Sequence, residues 1–392
     1  MSRRPPVEDW ATDFDHLDAR WVADPFPIWD DLRKRCPIAH TDRFMGVYFP
    51  ARYDDVRAVA YDPEHFSSRR IIVRETPPPR LPAPPITSDP PEHRPARMVL
   101  LPAFTPDAVK KHEARARALC NELIDRFIAR GRADAALEYS QHIPVRVIAR
   151  MLGVPEDDGD QFRDWIHLTL EAGITDPQAV IRAFTEMTQY FMRHVAERKV
   201  QPADDLISYL LAARYDGKPV SEEDLIGMLR LLLIAGIDTT WSAIGSCLWH
   251  LARTPEDRRR LAAEPHLMPT AIEEFLRAYA PVTMAREVAK ETEINGCVFK
   301  PGEMVLLSFP AANRDPDMFP DADKVIIDRA ENRHAAFGLG IHRCVGSNLA
   351  RMEMTVAVEE FLKRIPDFRL DGEVTWSEGT VRGPRRLPIA FD

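Results

Sequence analysis

The sequence predicts a mainly α-helical protein with small β regions, one domain over residues 1–392. Three observations point there. An apolar stretch from Leu225 to Trp249, opened by Ser221 and closed by Thr254-Pro255, reads as one helix about 45 Å long at about 1.5 Å per residue. It is apolar on nearly every side, so it belongs in the middle of a large helical body. Helical patterning broken by turn residues runs from Thr105 to about Ser208, while β signals are short and scattered. The expected layout is a β-containing N-terminal lobe over about 1–75 and a helical body over about 90–285 and 330–365.

Composition narrows the function. Hydrophobic residues make up 45% of the chain and charged residues 29%, which suits a large core in a soluble protein. Lys and Arg number 52 against 61 Asp and Glu, a net charge of -9. That argues against a general nucleic-acid binder, which needs a basic face for phosphates. The five cysteines (36, 120, 247, 297 and 344) are odd in number and show no CxxC spacing. Neither a disulfide framework nor a zinc ribbon is expected, and a reducing compartment fits. The N-terminus lacks the apolar core of a signal peptide. The most apolar run, Leu231 to Ile237, is about a third of the ~20 residues a membrane span needs. A cytoplasmic protein without a membrane segment is expected.

Along the chain, Ile28 to Arg35 reads as an amphipathic helix stopped by Pro37. Gly46 to Phe49 reads as a strand and Tyr53 to Tyr61 as a helix. Residues 76–95 are too proline-dense for a regular helix or a central strand. A linker and a loop covering a pocket compete there; the next segment does not begin a new domain, so the loop is preferred. Thr105-Pro106 opens a helix with proline at its first position, and Gly131 ends that region. Turns at Gly153-Val-Pro155, Gly173 and Asp176-Pro177 separate helices at 160–172 and 177–199. Ser221-Glu-Glu-Asp224 resembles a capping box with Asp in the usual Glu position. A helix at 269–280, a β-rich stretch at 286–310, a helix at 347–364 and a tail of short strands complete the chain, without internal repeats.

The chemistry concentrates in Phe337-Gly-Leu-Gly-Ile-His-Arg-Cys344-Val-Gly346. Its glycines permit positive φ and close approach to a ligand. A cysteine just ahead of a helix N-terminus is expected to favour its thiolate. Such a sulfur serves as a nucleophile, a metal ligand or an ordinary buried side chain. A dinucleotide fingerprint fails, because Arg343 stands where the last glycine belongs.

The stretch resembles the haem-ligand loop of the cytochrome P-450 family, FxxGxxxCxG, which Phe337, Gly340, Cys344 and Gly346 fill. The resemblance implies that family's fold, with the long central helix over a haem b. It makes Cys344 the thiolate on iron, with Phe337 and Gly338 beside it. A thiolate ligand pushes electron density to iron and favours O–O cleavage. Glu274-Phe-Leu-Arg277 resembles the family's ExxR, pairing with a later arginine that matches Arg329; these three are expected to be structural. Ala235-Gly-Ile-Asp-Thr-Thr240 matches the oxygen-binding AGxDT motif. There Ala235 and Gly236 would flank the cofactor, Gly236 leaving room beside iron-bound oxygen, while Asp238 and Thr239 direct protons. An Asp inside an apolar helix is costly without a partner, so the acid–alcohol pair has a chemical rationale. The resemblance also puts His93, Arg97, Arg286 and His342 at the haem carboxylates, with Pro95 a departure inside the first of these segments. Arg pairs with carboxylates through two parallel bonds.

By position, Ile86, Ile234, Val282 and Met284 are expected on the pocket wall, and ordinary core packing competes for each. Their character implies a small, mostly apolar or aromatic substrate. The implied activity is that of a monooxygenase using O2, by hydroxylation or oxidative O-dealkylation. Rival readings are a peroxide-driven peroxygenase and a non-catalytic haem sensor. No flavin or iron–sulfur motif is present, so electrons must come from elsewhere: a ferredoxin with its reductase, or an FMN/2Fe–2S reductase module. The C-terminal part also resembles the haem domains of reductase-fused members. Arg343, Arg351, Lys110 and Lys111 are candidate contacts for an acidic redox partner.

Overall fold

A computed structural model describes residues 4–79, 81–215 and 217–392. Its longer helices are, in chain order, α1 (Phe26–Arg35), α2 (Tyr53–Tyr61), α3 (His93–Leu100), α4 (Pro106–Asp125), α5 (His142–Leu152), α6 (Gly159–Leu170), α7 (Pro177–Val200), α8 (Glu222–Arg253), α9 (Pro255–Ala263), α10 (Met268–Ala278) and α11 (Ser347–Arg364). Their ends follow local chemistry. Thr105 caps α4 by accepting from Ala108 N–H, and Asp176 caps α7 through Gln178 N–H. Ser221 caps α8 through the Asp224 N–H at 3.1 Å, and its hydroxyl also donates to the Asp224 carboxylate. Pro95 sits at the third residue of α3. No intrahelical hydrogen bond is required of its nitrogen in the first turn, so the helix tolerates it.

The main sheet joins sequence-distant strands: β1 (Ile38–Thr41), β2 (Val47–Pro50), β3 (Phe66–Ser67), β4 (Thr283–Val288) and β5 (Met304–Ser308). Their order is β1-β2-β5-β4-β3, with β5 parallel to β2 and antiparallel to β4. The N-terminal β region is therefore completed by strands from beyond residue 280. A second sheet sets Pro388–Phe391 between Phe368–Leu370 and Arg132–Asp134. Just before it runs the short strand β6 (Pro384–Arg386).

Helix α8 crosses the largest hydrophobic cluster, which also takes in α4, α5 and α11. By length and composition α8 does suffice to cross a membrane, which corrects the expectation drawn from its longest apolar run. Its most apolar stretch is mostly buried within the protein, so packing accounts for its composition.

One acid in this core lacks an evident partner. Glu353 on α11 is 1% exposed, its Oε2 has no hydrogen-bond partner, and burial holds its carboxyl well above the ordinary range. The folded protein thus keeps this proton while the unfolded chain releases it near 4.5. Stability contributed by the retained proton is present at low pH and falls as pH rises above that value, by up to about 1.4 kcal/mol per pH unit. Glu353→Gln is expected to flatten the fall as pH rises above the ordinary carboxylate range, compared with the parent in urea unfolding. Parallel curves for the two proteins would contradict it.

Candidate active site

Between α8 and the loop preceding α11 lies a cavity of about 1000 Å³, at the upper end of small-molecule sites. The loop is held by its own backbone. Gly338 N–H donates to the Ala335 carbonyl at 2.8 Å and Cys344 N–H to the Phe337 carbonyl at 2.7 Å. Gly340 has φ +68°, and a Cβ there would collide with the Ala60 carbonyl oxygen at the end of α2, so both geometry and space require glycine. The Arg351 guanidinium covers the Phe337 ring at 4.5 Å and is itself gripped by Glu273 at 2.6 Å. Arg351 is half-buried in this pairing, while Arg343, Lys110 and Lys111 are exposed.

The segment leading to this loop is tied down by Glu274, fully buried on α10. Its carboxylate accepts from Arg277 Nη2 (2.8 Å) and Nε (2.9 Å), Arg329 Nε (3.0 Å), Asn332 Nδ2 (3.0 Å) and the Ile326 N–H (2.8 Å). Arg277 in turn donates to the carbonyls of Asn313, Ala322 and Lys324. A helix turn is thereby bonded to residues spread across 313–332.

The Cys344 side chain lines the cavity and is accessible from it. Burial pushes its thiol above the ordinary value, against the pull of the Gly346 N–H and the charges of Arg97, Arg343 and Arg351. The expectation of a depressed pKa from the helix N-terminus is corrected: desolvation outweighs it in the protein alone.

Of the predicted positions, Ile86, Arg97, Ile234, Ala235, Gly236, Thr239, Val282, Met284, Arg286, Phe337, Gly338, His342 and Cys344 line the cavity. The proline-dense segment supplies much of one wall. The Thr239 hydroxyl donates to the Ala235 carbonyl at 2.8 Å, leaving its lone pairs to accept. A Cβ at Gly236 would meet Ile148 at 3.2 Å, so close packing of α8 on α5 explains this glycine at least as well as room for oxygen.

Two predicted residues stand off the wall. Asp238 is fully buried and turned toward Arg385 of β6, whose Nη2 is 2.9 Å from its Oδ1. Arg385 also binds Glu171 at 2.6 Å and stacks on Trp241 at 4.4 Å. Burial raises the Asp238 pKa while Arg385 opposes the shift. His93 stands behind His342, ring centroids 4.4 Å apart, with its Nε2 buried and unpartnered. Burial and the neighbouring cations push both histidines toward the neutral form. His342 Nε2 lies 2.8 Å from Ser68 Oγ.

The donor set fits a dicarboxylate macrocycle. Arg286 is 4% exposed, donates only to the Ala285 carbonyl, and burial pushes its pKa down to about 10. Arg97 reaches the Arg343 carbonyl. Arg286 and Arg97 are thus short of anions on one side of the cavity, where His342 also stands, and Cys344 offers a single soft sulfur. Sequence reasoning missed Arg385 and Glu171, which come from distant strand and helix ends. It also missed Arg230, which the sequence shows as a charge ahead of the apolar run.

A cysteine loop facing a long helix across a deep cavity, with cations waiting on one side, defines the haem-thiolate class. Comparison with known proteins agrees. The family model described as Cytochrome P-450 matches residues 160–371. The chain is 36% identical to the mycinamicin IV hydroxylase/epoxidase of Micromonospora griseorubida, over 93% of this chain and 94% of that one. It is 34% identical to the vitamin D(3) 25-hydroxylase of Pseudonocardia autotrophica, over 94% of both. The solved polyketide-synthase cytochrome PksS of Bacillus subtilis superposes with a TM-score of 0.90 at 29% identity, over 97% of this chain and 100% of that one. The chain belongs to the cytochrome P-450 family and is a haem-thiolate monooxygenase. The two hydroxylases are matched over nearly their whole length.

Proposed function

We propose that this monooxygenase inserts one atom of O2 into a small, mostly apolar substrate by hydroxylation or oxidative O-dealkylation, in the cytoplasm, with electrons from a separate ferredoxin-type protein. The observation that carries the reading is the shared cavity of Cys344 and Thr239 on opposing elements. Haem b supplies O2 activation when bound, and thiolate ligation favours O–O cleavage. Cys344 would hold the iron through its sulfur. Arg286, Arg97 and His342 would take the two carboxylates, relieving the unpaired Arg286 charge, with His93 supporting His342 from behind. Ile86, Ile234, Val282 and Met284 exclude water and orient the substrate. Thr239 holds a proton at Oγ1 on the cavity wall, and Asp238 replenishes it from the far side of α8. To reach the wall, the Asp238 carboxylate has to release Arg385. Five unpaired cysteines suit a reducing compartment.

The test is turnover of a spin-shifting substrate under labelled O2 with a surrogate ferredoxin and reductase. One labelled oxygen atom per product is expected. Product formed with peroxide alone, and none with the reductase, would replace this reading by the peroxygenase one.

A further inference from the structure

Among the described residues six arginines are buried: Arg33, Arg74, Arg230, Arg258, Arg277 and Arg286. Arg33, Arg258 and Arg277 each pair with an aspartate or glutamate. Among the described residues no carboxylate pairs with Arg74, Arg230 or Arg286, and these three all line the cavity. A buried cation without a counter-charge is costly, so each needs an explanation. Arg286 has one in the haem carboxylates. Arg74 donates to the Thr169 and Gly173 carbonyls, at the end of α6 and just beyond it, where a helix presents its negative pole.

Arg230 has neither. It is 6% exposed. Its Nη1 donates to Thr188 Oγ1 at 2.8 Å and its Nη2 to the Pro82 carbonyl at 3.0 Å, both neutral acceptors. Its Nε is buried with no partner, and the Phe184 ring lies 5.1 Å from the guanidinium. Asp224 is the one acidic side chain on the cavity wall among the described residues, and it lies nearer the start of α8, engaged by Ser221. From Arg230 to Thr239 is about 13 Å along α8, at about 1.5 Å per residue. The wall between them includes Leu231, Ile234 and Ala235.

We propose that the cavity takes an elongated apolar substrate bearing one carboxylate, which Arg230 binds beside Pro82 and Phe184 while the carbon to be oxidised lies near Thr239. The proposal rests on the monooxygenase reading and narrows its substrate class. A guanidinium with free N–H groups matches a carboxylate through two parallel bonds.

The test uses the full-length, haem-loaded protein, titrated with dodecanoate and with dodecanamide, a neutral probe of equal length. Binding is followed by calorimetry and by the spin shift. Dodecanoate is expected to bind roughly ten- to a hundredfold more tightly. Arg230→Met should abolish that preference while leaving dodecanamide affinity within about twofold, and Arg230→Lys should retain part of it. Equal affinity for acid and amide in the unaltered protein overturns the proposal, whether or not the variants fold. A preference that survives Arg230→Met, or no binding of either probe, overturns it too. Calorimetry does not depend on iron. Material that takes up no haem therefore contradicts the proposed function, while the acid–amide comparison still decides the part played by Arg230.

Discussion

Glu274→Gln is expected to cost about 3–5 kcal/mol, the loss typical of removing one charge from a buried pair. The exchange keeps the volume and strips the counter-charge from two arginines at once, one of them fully buried. Against a total stability of about 5–15 kcal/mol, that change removes much of the folded population. The damage should also be local. Arg277 and Glu274 bond residues across 313–332, the stretch that delivers the cysteine loop. Urea unfolding and the haem-to-protein ratio of purified material measure the two effects together. A Glu274→Gln protein with parental stability and full haem content would show that the network is dispensable. By contrast, Lys290→Ala breaks an exposed pair with Glu64 and should leave stability nearly unchanged.

The second large effect is expected in turnover. Thr239→Ala removes the one hydroxyl on this stretch of α8 that both lines the cavity and bonds back to Ala235. Product per electron should fall roughly a hundredfold, the lower end of general acid–base contributions, with the lost electrons appearing as peroxide. The substrate-induced spin shift should be retained, since the change deletes few contacts. Thr239→Ser should restore most of the yield. Asp238→Asn is a harsher change, because it leaves Arg385 and Glu171 to rearrange around a neutral amide. Its solvent isotope effect on turnover should differ from that of the parent if protons enter from that side. Unchanged product per electron in Thr239→Ala would remove the hydroxyl from the mechanism.

The parts legible in the sequence were those set by local chemistry. Ser221, Thr105-Pro106 and Asp176-Pro177 are strong start signals, and the structure begins α8, α4 and α7 beside them. The segment 347–364 matches α11 end to end. The loop from Phe337 to Gly346 was readable because its glycines and cysteine must lie close together in the chain. What escaped was long-range. Arg385 reaches Asp238 from almost 150 positions away, a hydrogen bond spanning |i−j| = 147, and no local pattern announces such a pair. The assembly of β4 and β5 with β1 and β2 was equally hidden, because strand pairing depends on tertiary packing more than on propensity. The elevated Cys344 pKa was missed for a related reason: position in a helix is visible in a sequence, whereas depth of burial is not.

The central claim is that the Cys344 sulfur binds iron. The decisive measurement is the absorption spectrum of the dithionite-reduced, carbon-monoxide-saturated protein, recorded for the parent and for Cys344→Ser prepared side by side. The account predicts the red-shifted Soret band of a thiolate-ligated haem in the parent and its loss in the variant, whether the variant keeps haem with another ligand or keeps none. The same red-shifted band in Cys344→Ser, or a parent that carries no haem, would contradict it.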